Sequence, residues 1–206
     1  MPAQITGSQA TAAMLNRAFR DISPSYLTFQ NQVSAIDAAK VQFGSPAGEY
    51  SYANEFGKSF AGLSNAQLAE KILTNMGVYK LASGAVNTDL VTLVVDAFTL
   101  LPNDRGQLVL RLAEILTTLE FATGALSIYN AAAVSWNDEV TATLAYSGIS
   151  TNTTESATGD NTDLLKSYKL SPVSVAAVSE GATALFNLAT SGVKDGTTIA
   201  YTLSGV

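Results

Sequence analysis

The chain contains no cysteine and no histidine. Without thiols or imidazoles it has no disulfide framework, no thiolate nucleophile, no His-based triad and no zinc finger. The absence of Cys fits either chance in an Ala- and Thr-rich sequence or a protein whose export disfavours thiols. Charge is scarce as well: Asp, Glu, Lys and Arg make up 14% of the 206 residues, against about 25% in ordinary soluble domains. Lys and Arg total 11 and Asp and Glu 17, a net charge of −6. The acidic excess is spread along the chain, with 8 basic and 12 acidic residues up to Ser147 and 3 and 5 beyond it. Neither part offers the basic footprint that nucleic acid requires, so that partner class is set aside. The first twenty residues hold no continuous apolar run, and no stretch reaches the ~20 apolar residues of a membrane span. A Sec leader and a membrane span are therefore not expected, which leaves cytoplasmic residence or one-step export through a C-terminal signal beyond Val206. The glycine-rich phosphate loops and the G-x-S-x-G elbow of common enzyme classes are missing too.

What fills the sequence instead is Ala, Thr, Ser, Asn and Gly within a 47% hydrophobic composition. A polar but weakly charged surface lowers the electrostatic barrier to packing copies side by side. From Ser8 to about Tyr146 the apolar spacing is helical. Ser64 and Gln67 form the S-x-x-Q pattern of a capping box, flanked by Leu63 and Leu68 as a hydrophobic staple, and Gly77 ends that helix. Residues 25–43 place Tyr26, Phe29, Val33 and Ile36 on one face, with Gly44-Ser45-Pro46 as the stop. Residues 88–101 carry apolar side chains so broadly that they read as a buried central helix. Further helices are expected over 108–121, with Leu112, Ile115, Leu116 and Leu119, and over 126–146, with Trp136 and Val140 facing inward. Six or seven helices with short connections predict a multi-helix bundle over residues 1–147.

The character changes at Ser147. Residues 148–167 are rich in Ser, Thr and Asn and poor in bulky apolar groups, which predicts a linker. Asn152-Thr153-Thr154 matches a glycosylation sequon, a pattern too short and common to weigh. From Tyr168 the period becomes two. Val173, Val175 and Ala177 alternate with small residues, as do residues 183–189 and 198–203, with turns at Ser179-Glu180-Gly181 and Lys194-Asp195-Gly196. Three strands are too few for a free-standing sandwich, which predicts an incomplete β module over 168–206 continuing past Val206. The fold class expected is mainly α: a helical bundle followed by a truncated immunoglobulin-like β-sandwich.

Val178-Ser179-Glu180-Gly181, Leu185-Phe186-Asn187-Leu188, Asp195-Gly196-Thr197 and Tyr201-Thr202-Leu203-Ser204-Gly205 together resemble the first strands of Calx-β-like, immunoglobulin-like repeats. Such repeats occur in large bacterial surface proteins exported by type I secretion. The helical part, poor in charge and lacking His and Cys, is similar in style to the N-terminal anchoring domains of S-layer proteins. The resemblance implies an extracellular S-layer subunit or related adhesin. Its helical domain would hold a cell-surface polysaccharide such as lipopolysaccharide, and its β modules would assemble a lattice with other copies. It also implies that Glu180 belongs to a calcium-binding region.

Candidate sites are few. Ser191 and Lys194 match S-x-x-K, yet they fall in an expected hairpin, where turn chemistry accounts for them. Asp138-Glu139 and Glu114 with Glu120 are the acidic pairs that could serve glycoside hydrolysis, or could line a solvated helix face. Asp160 and Asp163, with Asn161 between them, resemble a piece of a calcium loop, and oxygen donors are what this chain supplies. The other reading is solvated linker residues, which the incomplete loop spacing favours. Tyr50 and Tyr52, beside Phe56, could stack on sugar rings or could belong to a core. The reading these features favour is a non-catalytic surface anchor that binds glycan, with calcium as the cofactor to consider. The alternatives are an adhesin that polymerises without glycan, through strand exchange at an open sheet edge, and a glycan-acting enzyme using two carboxylates.

Overall fold

The structure, a computed structural model, describes residues 6–157, 167–172 and 186–191, the last two segments by their backbone. Helix α1 (Ser8–Arg20) is followed by a two-residue strand β1 (Ile22–Ser23), then α2 (Tyr26–Phe43) and α3 (Ala47–Gly57). Next come α4 (Asn65–Asn75), α5 (Thr88–Leu100) and α6 (Arg105–Thr117). Short 3₁₀ turns at Leu119–Phe121 and Gly124–Tyr129 lead into α7 (Asn130–Ser147) and β2 (Ser156–Ala157). Strands β3 (Ser167–Pro172) and β4 (Phe186–Ser191) complete the described elements.

Local chemistry sets most helix ends where the sequence places them. At α4 the Ser64 Oγ accepts from Gln67 N–H at 3.2 Å, and Gln67 Oε1 accepts from Ser64 N–H at 3.0 Å, a complete capping box. Its far end closes as a Schellman motif: Gly77 adopts φ 72°, Val78 N–H donates to Leu73 O and Gly77 N–H to Thr74 O. Ser25 caps α2 by accepting from Thr28 N–H, and Gly44 stops it. Trp136, Val140 and Ala133 of α7 face inward as expected and are fully buried.

The centre of the bundle is not the helix that hydropathy nominates. Helix α5 packs on α4 and, more lightly, on α6, and only Val94 and Phe98 are buried along it. Leu93 is 65% exposed and Leu100 78%. The central element is α1, in which every residue but Gln9 and Arg20 is buried, in contact with α2, α3, α4, α6 and α7. An even apolar girth says that a helix has several sticky faces, not how many neighbours reach them. Small side chains decide the matter instead. Ala10, Ala12, Ala13 and Ala18 let neighbouring helices close in from several sides, while Met14, Leu15 and Phe19 fill the gaps between them.

The polar residues that α1 carries into the interior find partners there. Asn16 donates to Ala12 O at 2.8 Å and to Gln32 Oε1 at 2.7 Å. Arg17, 2% exposed, reaches Glu139 of α7 at 2.7 Å and also pairs with Asp21. Helix α3 fits between α2 and α6 because glycine lines both contacts. A Cβ on Gly48 would press on the Lys40 backbone of α2, and one on Gly106 would overlap the Ala53 carbonyl of α3. Asn54 then serves α6 from outside: its Oδ1 accepts from Gln107 N–H at 2.7 Å and its Nδ2 donates to Asp104 at 2.9 Å.

Part of the segment expected to be a linker is bound to the bundle. Residues 148–157 have little apolar surface to bury, yet their backbone groups are satisfied against it. Tyr26 N–H donates to Asn152 O at 2.9 Å, Asn152 Nδ2 to Tyr146 O, and Tyr146 Oη to Thr154 O. Ser156 and Ala157 pair antiparallel with Ser23 and Ile22, and Arg20 meets Glu155 at 2.7 Å. Strands β3 and β4 pair antiparallel from Ser167 opposite Ser191 to Pro172 opposite Phe186. The strand expected over 173–177, the turn at Glu180, most of the S-x-x-K segment and the third strand lie outside the described residues.

Candidate functional site

A cleft of about 460 Å³ opens where three separated segments meet. Its walls are Thr6 and Gly7 ahead of α1, Thr11 and Met14 on α1, Ser45, Pro46 and Glu49 at the start of α3, and Glu114, Ile115, Thr117 and Thr118 at the end of α6. The size lies within the roughly 300–1,000 Å³ range of small-molecule sites.

Glu49 sits in the first turn of α3, where a carboxylate suits the helix dipole. It is only 8% exposed. One oxygen, Oε1, accepts from Ser45 Oγ at 2.7 Å and lies 3.4 Å from Lys40 Nζ. The other, Oε2, is buried without any hydrogen-bond partner. Lys40 also donates to Ser8 Oγ at 3.2 Å, and Ser8 in turn donates to Asp37. The cation beside Glu49 is thus shared with the Ser8 hydroxyl, which is itself bound to Asp37. Glu114, across the cleft, has its carboxyl raised above the ordinary range. Burial is the main cause and the Glu49 charge adds to it, while Arg111 pulls the other way.

Three of the five hydroxyls that line the cleft have their protons committed. Thr117 Oγ1 donates to Glu114 O and Thr118 Oγ1 to Ile115 O, both at 2.7 Å, and Ser45 donates to Glu49. What these side chains retain is lone pairs. The cleft is therefore rich in acceptors and suits a ligand rich in donors.

The structure distributes the sequence-derived candidates as follows. Glu114 lines the cleft with Glu49, and not with Glu120, which instead accepts from Asn137 at 3.3 Å. Glu139 is occupied by Arg17. Asp138 is raised chiefly by burial, then by the Glu120 and Glu139 charges. Tyr50 and Tyr52 pack against the core. The Arg111 guanidinium lies 4.7 Å over the Tyr50 ring, and Tyr52 is tilted against Phe56 with its hydroxyl pKa raised by burial. Neither Tyr lines the cleft. Asp160, Asp163 and Glu180 lie outside the described residues. Among the described residues no three acidic side chains converge as a metal cage, and no helix is long and apolar enough to cross a membrane.

A second cleft, of about 520 Å³, separates the end of α3 from the start of α6. Its cations are engaged: Lys58 pairs with Glu55, and Arg105 donates to Leu63 O at 3.1 Å and to Asn65 at 3.3 Å.

Sequence reasoning passed over Glu49. The one available signal was an acidic residue three places after Pro46, in the first turn of a helix, which reads as dipole complementation alone. Compared with known protein families, with curated proteins and with solved structures, the chain matches none.

Proposed function

We propose that this chain is a non-catalytic, glycan-binding part of a bacterial cell-surface protein of the S-layer kind. Its helical domain anchors to a surface polysaccharide, such as that of lipopolysaccharide, through the cleft between Glu49 and Glu114. The observation that carries the reading is the acceptor bias of that cleft. Sugars present many hydroxyl donors, and a buried carboxylate oxygen without a partner gains most from receiving one. Assembly with other copies is supported by the scarcity of surface charge and by apolar side chains left in solvent, among them Phe121, 72% exposed. Calcium, held by Asp160 and Asp163 of the linker and Glu180 of the β module, is the proposed cofactor.

Retention of the full chain on isolated outer-membrane polysaccharide tests the proposal, with and without a chelator. Glu49→Gln and Glu114→Gln should each release the chain, and a variant that binds as well as the parent would count against the cleft. A chelator effect should persist in both variants if calcium acts elsewhere.

A second reading rests on one observation. Two carboxylates share the cleft, and burial raises the pKa of one of them, Glu114, the direction a hydrolase acid needs. Release of new reducing ends from the same polysaccharide, lost in Glu114→Gln, would favour it.

A further inference from the structure

We infer that the sugar held between Glu49 and Glu114 carries a free ammonium group, as in a de-N-acetylated amino sugar. The inference rests on the glycan reading and narrows it. Neutral hydroxyls would satisfy the lone pairs of Ser45, Thr117 and Thr118, but they leave two acidic groups facing one cleft. Lys40 serves that pair incompletely, since it reaches only Oε1 of Glu49 and divides its protons with Ser8. Arg111 acts on Glu114 from the same helix while its guanidinium covers the Tyr50 ring. The buried Oε2 of Glu49 is left with no donor at all. An ammonium supplies three donors and a positive charge, which serves Oε2 and relieves the repulsion between Glu49 and Glu114 together. Phosphorylated or uronic sugars bring more acceptors and more negative charge to a wall that already has both, so they are disfavoured.

Titration calorimetry on the full chain tests this with three probes: a glucosamine tetramer, its fully N-acetylated form and a galacturonate tetramer. At about pH 6.5 the amines are largely protonated and ordinary carboxylates ionised. The free-amine tetramer should bind at least about tenfold more tightly than the acetylated one, the scale of a charge-assisted hydrogen bond. Glu49→Gln and Glu114→Gln should each bring the two probes within about threefold of one another. Exposed Glu70 offers a control for net charge, and Glu70→Gln should keep the preference. Melting curves identify any variant that fails to fold, in which case the other cleft variant carries the test. Equal binding of the amine and acetylated tetramers overturns the ammonium inference and leaves the glycan reading standing. Loss of the preference in Glu70→Gln, or tighter binding of the galacturonate tetramer, also overturns it. Absence of binding to every sugar removes the glycan reading itself.

Discussion

Glu139→Ala is the perturbation whose cost follows most directly from the packing. Arg17 lies 2% exposed in the central helix, and its guanidinium meets Glu139 at 2.7 Å. Removing one member of a buried ion pair costs about 3–5 kcal/mol, because the surviving charge is left without compensation. Here Arg17 keeps Asp21, which is 28% exposed and so partly solvated. The loss therefore belongs near the lower end, about 3 kcal/mol. For a chain of this size that is a fall of roughly 6–12 °C in the melting midpoint. With a urea m-value of about 2 kcal/mol/M it is a midpoint shift of about 1.5 M. Urea unfolding followed by circular dichroism measures it. The double variant Arg17→Met/Glu139→Leu replaces both charges by apolar groups and should recover most of the loss. A single variant within about 0.5 kcal/mol of the parent refutes the reasoning, and so does a double variant no more stable than the single.

Gly106→Ala should cost about 2 kcal/mol despite the better helix propensity of Ala, because its Cβ overlaps the Ala53 carbonyl. Gly62→Ala, where nothing lies within 4 Å, should be neutral or stabilising in the same melting series. Asn54→Ala removes an acceptor for the α6 N-terminus and a donor to Asp104, and should lower stability by about 1–2 kcal/mol by urea titration. Asp138 and Glu114 have folded-state pKa values raised above their unfolded ones. Each binds its proton more tightly when folded, so its destabilising contribution is present above the folded pKa and fades as pH falls through it. Asp138→Asn should therefore raise the melting midpoint slightly at neutral pH and leave it unchanged at about pH 3, where the native acid is protonated as well.

Legibility in the sequence followed the range of the interaction. The α4 capping box, its Gly77 terminus, the Ser25 cap and the Gly44 stop are settled within a few residues, and each reads directly from the chain. The inward faces of α7 around Trp136 and of α2 around Phe29 and Ile36 follow from helical spacing. The centrality of α1 does not, because Ala, Asn and Arg are buried there by what surrounds them and not by their own hydropathy. The peripheral position of α5 was hidden for the converse reason. The binding of residues 148–157 to the bundle rests on backbone and hydroxyl hydrogen bonds, which composition does not display. The cleft is harder still. Glu49 and Glu114 belong to different helices, and the close approach that glycine permits between α3 and α6 brings them to one cleft.

The clasp between β1 and β2 ties the segment after α7 back to the start of the bundle. It brings Ala157 beside Ile22, at the joint between α1 and α2. Ser147 Oγ, donating to Pro24 O at 2.7 Å, ties the end of α7 to the same joint. A force applied at Ala157 is accordingly delivered first to two β rungs and the Arg20–Glu155 contact. Of these fastenings only the Arg20–Glu155 pair is exposed; Ile22 and Ser23 are buried, so parting the β rungs uncovers the interior at the α1–α2 joint.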